Sequence, residues 1–417
     1  MHCRCCPGLA RLTAIAGLAL VALLVGLALP ARSQDDDKKE EKKPKATKAE
    51  IAKIIDQLGD DDVEVRKDAE KKLVAQGEGV LPAIRKAARD HSDPDVRLRC
   101  IVLSTTLIKK LYGEVRKYTG HTGAIRHIAV SKDGKRILTG GMDNVVCLWD
   151  VEKEKPTQKM TGHTSWAWQV GFSPDEKKAI SSGGMDKTLR LWDLSDGSEL
   201  KKFEGHTARA YGAAFSPDGK YVASGGAGED CTVRLWNAKT AKEVKKLNGH
   251  TGWVWKVVYS PDGKRLASAG CNDYSFRVWD VEDPEEAKQL FVVNKAHEDS
   301  FVVGIAFSPD NKYVLTSGRD STVKLWSATD GKLVKTYTGF ADNVEAVAFS
   351  KDGKRFLAGE NKIVHVVDTN SGKIIHRFEE HPDVVYAVAF LPNGQALSAG
   401  AGGPGNDYTM RLWNVPK

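Results

Sequence analysis

Residues 162–193, GHTSWAWQVGFSPDEKKAISSGGMDKTLRLWD, decide the fold. Gly162-His163 opens a strand, and a Ser-Pro-Asp turn at Ser173 to Asp175 reverses the chain. A second turn carrying Asp186 leads into Leu189-Arg190-Leu191-Trp192-Asp193. Short polar side chains and proline suit such reversals, because Asp and Ser oxygens accept from the backbone two residues on and proline presets φ. The spacing is that of one antiparallel blade, and this stretch is the fullest of seven copies.

Working outward, Gly-His pairs recur at His121, His163, His206 and His250, followed by the degenerate Ala296-His297 and Glu380-His381. The missing member is Phe340, after Gly339. Strand-ending tryptophans recur at Trp149, Trp192, Trp236, Trp279, Trp326 and Trp413, with Val367 in the weak copy, at a period of 41 to 47 residues. Self-similarity at this period, with about four strands per unit, predicts an all-β, seven-bladed β-propeller. Gly113 to Tyr118 supplies an unpaired strand before the first His, and the chain stops just after Trp413, one strand short of a full last blade. Pairing the N-terminal strand with the C-terminal blade would close the ring and remove its open edges.

Blade after blade shows Gly-His, an apolar strand ending in Phe-Ser-Pro-Asp-Gly-Lys, a Leu-Ala-Ser-Gly strand, an Asp turn and a Leu-Trp-Asp strand. On these motifs residues 113–417 resemble the WD-repeat β-propeller family. The resemblance implies a buried hydrogen-bonded tetrad of His, Ser or Thr, turn Asp and Trp in each blade. The sets are His121, Thr139, Asp143, Trp149; His163, Ser182, Asp186, Trp192; His206, Ser224, Asp230, Trp236; His250, Ser268, Asp273, Trp279; and His297, Thr316, Asp320, Trp326. An indole donates one hydrogen bond and a carboxylate accepts from His and from turn N–H groups, so each blade can satisfy its own buried polar groups. The sixth repeat lacks both His and Trp and is expected to be the softest. The seventh keeps His381, Ser398, Asp407 and Trp413 but stretches the turn with Ala-Gly-Gly-Pro-Gly-Asn.

N-terminal to the repeats, residues 1–33 read as an export signal. Arg4 and Arg11 precede an uncharged run from Leu12 to Leu29, and Ala31-Arg-Ser33 offers a small-x-small cleavage site. That run is also just long enough to span a bilayer, so the expectation is an exported protein, periplasmic or extracellular, with membrane anchoring by residues 12–29 as the alternative. Residues 34–46 are almost devoid of apolar side chains and form a charged, disordered linker. From 47 to 112 the periodicity is helical, with Ile51, Ile54, Ile55 and Leu58 on one face. Breaks at Asp60 to Asp62, Gly77-Glu-Gly79 and Ser92-Asp93-Pro94 divide this stretch into four short helices. Asp62-Val-Glu-Val-Arg66 and Asp93-Pro-Asp-Val-Arg97, with Leu81-Pro82 between them, resemble features of HEAT-type helical repeats. Two hairpins are too few for a free solenoid, so this HEAT-like module is expected to dock, its own propeller being one surface.

Lys and Arg number 62 against 55 Asp and Glu, and about +4 remains without the first 33 residues. The charges are interspersed and no basic run is interleaved with aromatics, which argues against nucleic acid as a partner. Four cysteines follow the signal: Cys100, Cys147, Cys231 and Cys271. In an oxidising compartment they allow three full connectivities. Cys231 and Cys271 flank equivalent turns of neighbouring repeats and are the candidate pair; as small buried hydrophobes all four would stay free.

No catalytic constellation emerges, and the chain is read as non-enzymatic. Gly400, Gly402 and Gly405 fit G-x-G-x-x-G, but a strand follows rather than a helix, so no phosphate site is expected. The blade histidines belong to tetrads, and His2, His91, His127, His365 and His376 lack ligand spacing; no metal and no cofactor are expected. Tryptophan stands out instead. Trp166, Trp168, Trp253 and Trp255 lie three and five residues after a Gly-His, where other repeats hold Ala124 and Arg126, Arg209 and Tyr211, Phe301 and Val303, Asn343 and Glu345, and Val384 and Tyr386. In the family these positions, with those before the turn Asp such as Met142, Met185 and Arg319, reach the top rim of the central channel. Core packing between blades is the competing role for such aromatics. The resulting expectation is a scaffold that binds a protein or peptide through Arg126, Met142, Trp166, Trp168, Met185, Arg209, Tyr211, Trp253, Trp255, Phe301, Arg319 and Tyr386. The alternative is a carbohydrate-binding propeller whose four non-tetrad tryptophans stack on sugar rings, with a glycan as partner.

Overall fold

The computed structural model describes residues 46–405 and 407–416. The expected signal at 1–33, and the charged stretch after it apart from Ala46, lie outside the described residues. Four helices come first: α1 (Lys48–Asp56), α2 (Val63–Ala75), α3 (Leu81–Asp90) and α4 (Pro94–Tyr112). Asp62 and Asp93 cap α2 and α4, accepting from the N–H groups of Glu64 and Asp95, both at 2.8 Å. Four residues past each cap an arginine turns back on the preceding loop. Arg66 donates to the carbonyls of Asp60 and Asp61, and Arg97 to those of His91 and Ser92. The two similar pentapeptides are thus the same device used twice.

Helix α4 runs through Gly113 directly into the strand Glu114–Tyr118. At its end Tyr112 is buried and meets His376, in the outer strand of the sixth blade, edge-on at 5.6 Å between ring centres. Burial there, with the nearby charge of Arg85, holds the His376 imidazole down at about 4.

Seven four-stranded antiparallel sheets follow, each a meander. The first runs from the inner strand Ile125–Val130 to the outer strand Gln158–Met160, and the seventh from Val385–Phe390 outward. The outer strand of the seventh blade is Glu114–Tyr118, paired antiparallel with Met410–Trp413 so that Tyr118 faces Met410 and Glu114 faces Trp413. Arg411 reaches Glu114 across the same pairing at 2.8 Å. The ring is therefore closed by the two ends of the repeat region, as its strand count predicts.

The core lies between blades. Between the first and seventh, for example, Tyr118, Ile125, Trp149, Leu397 and Leu412 share one buried cluster. Alternation along each strand delivers these side chains, since neighbouring residues point to opposite sheet faces. The Ser-x-Asp turns that join inner and second strands share one hydrogen-bond pattern. In the third blade Ser216 donates to Asp218, which accepts from Lys220 N–H, and Gly219 sits at φ 73°.

In four blades a directed hydrogen-bond chain runs from Trp to Asp through the sheet, and in the third it stops at His206. In the first, the Trp149 indole donates to Thr139 Oγ1 (2.8 Å), and Thr139 Oγ1 lies 2.7 Å from His121 Nε2. His121 Nδ1 meets Asp143 at 2.9 Å. A carboxylate only accepts, so Nδ1 carries the proton and Nε2 accepts from the hydroxyl. The fourth blade repeats this through Trp279, Ser268, His250 and Asp273, and the fifth through Trp326, Thr316, His297 and Asp320. In the third, Ser224 takes Trp236 and His206 alike, while Asp230 is drawn to Arg234 and to Thr207 N–H.

The second blade corrects the expected tetrad. Ser181, not Ser182, accepts from Trp192 (2.7 Å) and contacts His163 Nε2 (2.7 Å), with His163 Nδ1 on Asp186. Ser182 points the other way, donating to the carbonyl of Tyr211 and accepting from Gln169 N–H. Adjacent strand residues face opposite sides, so only one of two consecutive serines can join the chain. In the seventh blade Trp413 and His381 meet Ser398, but Asp407 is engaged by Lys117 and Arg411.

The sixth blade has replaced the chain as a unit. Phe340 stands for His, Ala358 for the hydroxyl residue and Val367 for Trp, and all three are buried in one apolar cluster. Removing both partners of a buried hydrogen bond together leaves no orphan, so the missing motif is not in itself a weakness. What is unusual there is His365, buried edge-on against Phe340 with Nε2 3.1 Å from Glu360. Among the described residues Cys100, Cys147, Cys231 and Cys271 are free thiols. Burial pushes Cys100 up to about 11, and Cys147 and Cys271 up to about 12, and the candidate Cys231–Cys271 disulfide is not formed.

Two outcomes follow from the chains. Ser181→Ala orphans the Trp192 and His163 nitrogens, whereas Ala358→Ser adds a hydroxyl to an apolar site. Each should lower the urea unfolding free energy by about 1–3 kcal/mol, and an unchanged midpoint in either would contradict the account. The second outcome concerns acid. Burial holds His250 and His297 below the ordinary 6.5, and His381 down at about 3. Burial alone would raise Asp273 and Asp320, but hydrogen bonds and charge from their histidines outweigh it and set both at about 2. A histidine with a lowered folded pKa binds its proton more readily when unfolded, so its contribution is complete above about 6.5 and drains as pH falls. The aspartates lose theirs only below about 4. The melting temperature should decline from about pH 6.5 downward; a flat profile from about pH 7 to pH 4.5 would show that the chains are not neutral at histidine.

Candidate functional site

The inner strands carry an irregularity that builds the channel mouth. The register with the second strand shifts between Ile125 and His127, Ala210 and Gly212, Val254 and Lys256, Val302 and Gly304, and Val385 and Ala387. The extra residues are Arg126, Tyr211, Trp255, Val303 and Tyr386. A bulge leaves its residue out of the ladder and re-aims its side chain, which turns these five toward the axis. Trp168 and Glu345 supply the second and sixth blades: Trp168 N–H donates to Ser182 and Glu345 N–H to Gly359. Six of the seven, all but Tyr211, line one narrow cavity together with His127, Gln169 and Lys256.

The rings pack on one another. Trp168 stacks on Tyr211 at 4.3 Å between centres and meets Trp255 edge-on at 5.0 Å. Trp166 lies parallel over Trp168 at 6.0 Å, and Trp253 approaches Tyr211 at 6.3 Å. The Arg126 guanidinium sits 3.8 Å from the Tyr386 ring centre and 4.2 Å from that of Trp168, a pair of cation–π contacts. Arg209 lies over Trp253 at 5.2 Å and donates to the Tyr211 hydroxyl. Farther round the rim, Arg319 lies over Phe301 at 5.2 Å, Tyr274 stacks on Phe301, and Arg319 Nε donates to Glu345 at 3.0 Å.

The sequence-predicted residues therefore separate into two tiers. Trp168 and Tyr211 are buried, at 6% and 4% exposure, while Trp166 and Met185 are exposed at 36% and 53%. Arg126, Met142, Arg209, Trp253, Trp255, Phe301, Arg319 and Tyr386 are partly buried. Of the four non-tetrad tryptophans Trp166 is exposed, Trp253 and Trp255 are partly buried, and Trp168 is buried.

Sequence reasoning passed over three residues, each six after its blade's histidine: His127, Gln169 and Lys256. Gln169 is fully buried, and its amide bonds both the N–H and the C=O of Val257, two blades away. A polar side chain next to the channel position, where other repeats hold Gly212, Gly304, Ala346 and Ala387, was the available signal. Among the described residues no three His, Cys, Asp or Glu side chains cluster as a metal site. The Gly400 to Gly405 run makes a short 3-10 turn and then the strand Met410–Trp413, with no helix.

A closed ring of seven blades, with bulged inner strands presenting side chains at the channel mouth, defines a β-propeller of the scaffold type. The family described as WD domain, G-beta repeat matches seven stretches: residues 113–150, 154–193, 197–237, 241–280, 288–327, 331–368 and 372–414. The chain belongs to the WD-repeat family, whose members are typically protein-interaction scaffolds and generally non-catalytic. It is 36% identical over 64 residues to an uncharacterized WD repeat-containing protein of Synechocystis, covering 15% of this chain and 18% of that protein. It is 32% identical over 62 residues to Superkiller complex protein 8 of Dictyostelium discoideum, 15% of this chain and 21% of that one. A WD repeat-containing protein 26 homolog of Drosophila melanogaster is 31% identical over 93 residues, 22% and 15% respectively. The chain thus spans about a fifth or less of the length of these relatives.

Proposed function

We propose that this chain is an exported, non-enzymatic docking module that binds a protein or peptide on the mouth of its propeller. The carrying observation is the exposure of Trp166 and Met185 on a stacked aromatic base of Trp168, Tyr211 and Trp255. Large apolar side chains held rigid and open to solvent are what interface hot spots are made of, because little ordering entropy is left to lose. Trp253, Met142, Arg209, Phe301 and Arg319 extend the surface, and the buried Trp168 and Tyr211 support it. Sugar stacking asks for several flat, open rings. Of the four candidate tryptophans only Trp166 is exposed, which favours the peptide reading. Superkiller complex protein 8 is, by its name, part of a complex, which agrees with a docking role.

Peptides selected on the wild-type chain from a random display library should lose binding to the Trp166→Ala, Met185→Ala, Trp253→Ala triple variant. That variant's urea midpoint should stay close to wild type, whereas Trp168→Ala should cost about 3–5 kcal/mol as a large buried aromatic. Peptides that bind the triple variant equally well, or a library that yields none while glycans bind, would sink the proposal. Export is tested separately, by the mass of the mature N-terminus and its cell fraction. A chain beginning near residue 34 outside the inner membrane is expected, and an intact soluble N-terminus inside the cell would overturn it.

A further inference from the structure

The throat beneath the aromatic rim gathers more positive charge than its one carboxylate, Glu345, offsets. Arg126 is held between Tyr386 and Trp168, and its Nε is buried without a hydrogen-bond partner. Lys256 lines the same cavity, and burial alone sets its pKa at about 8 with no carboxylate acting on it. At neutral pH it is therefore still mainly an ammonium. His127, also on the cavity wall, accepts the Val170 N–H at Nδ1, so its remaining ring nitrogen carries the proton. Burial first, and then the charge of Lys256, keep that ring neutral. The cavity's one carboxylate, Glu345, is hydrogen-bonded to Arg319, and its charge also acts on Arg126. Two cations and an N–H donor thus border a narrow space with a single acid, and Lys256 is the cation that acid does not reach.

A buried cation without a counter-charge is costly unless something anionic or water accompanies it. We propose that the throat is a site for a small singly charged anion, of halide to carboxylate size, held by Lys256 with Arg126 and His127. The space within is narrow, which excludes phosphate esters and larger oxyanions. Such an anion has two sources, a free ion from solution or the acidic side chain of a docked segment, and the site stands whether or not the rim binds a peptide.

The test uses the full chain labelled with 13C at the lysine ε-carbons, the Lys256 signal being the one lost in Lys256→Met. Sodium chloride and sodium acetate are titrated at constant ionic strength against a bulky organic sulfonate. In parallel, a capped Leu-Glu-Leu peptide is compared with its Leu-Gln-Leu counterpart. A saturable shift of the Lys256 signal with chloride or acetate, accompanied by a rise in melting temperature, identifies a free ion. A shift with the Glu peptide alone identifies a side chain. Lys256→Arg should retain the saturable rise in melting temperature. Lys256→Met, which removes the charge and keeps a side chain of similar length, should weaken binding by about tenfold or more. No saturable shift with any of the ligands, or equal affinity in Lys256→Met, would overturn the assignment.

Discussion

An indole N–H that must be satisfied inside a sheet is the constraint from which this ring is built. Each Trp at the end of a third strand is almost wholly buried, and its one donor has to find an oxygen. The second strand supplies it as Ser or Thr, whose own proton then needs an acceptor, which is imidazole, whose other nitrogen needs a carboxylate. Each link creates the demand met by the next. The chain therefore fixes the relative position of two strands and two loops in one stroke, and the carboxylate pins the loop by taking its N–H as well, as Asp143 does from Thr122. The sixth blade shows the complementary solution. With Phe340, Ala358 and Val367 there is no donor to satisfy, and packing alone does the work.

Satisfying the sheet internally frees the inner strand for another purpose. In five blades, beyond the point where hydroxyl and imidazole meet, the first strand breaks register and turns one residue toward the axis. The same backbone irregularity yields aromatic rings, an arginine and a valine according to blade. The mouth of the channel is thus variable chemistry on a fixed backbone, which is how one scaffold can serve different ligands.

Most of the architecture was legible in the sequence because its demands are local and repeated. The period recurs seven times and the His-to-Trp pair six times, and even the closure by Glu114–Tyr118 follows from counting strands. Ser181 was missed where two serines adjoin, although the repeat's own spacing tells them apart. The 18 residues that separate His121 from Thr139, His206 from Ser224 and His250 from Ser268 also separate His163 from Ser181. The tiers of the rim were not legible. Whether Trp166 or Trp168 faces solvent depends on which ring lies over which, and Trp168 is covered by contacts from Tyr211 and Arg126, residues far away in the chain. Lys256 and His127 left only the trace of a polar side chain beside the channel position; that they share one cavity shows only in space.

The strand that completes the seventh blade is also the continuation of α4, with Gly113 as the only residue between them. A pull on the N-terminal side of the molecule is therefore delivered along Glu114–Tyr118, parallel to its hydrogen bonds' ladder with Met410–Trp413 rather than onto a loop. Loaded this way, the ladder bonds are strained together in shear instead of being unzipped one at a time, and the ion pair between Arg411 and Glu114 shares that load. The weld that closes the circle is thus also the point at which the circle is hung.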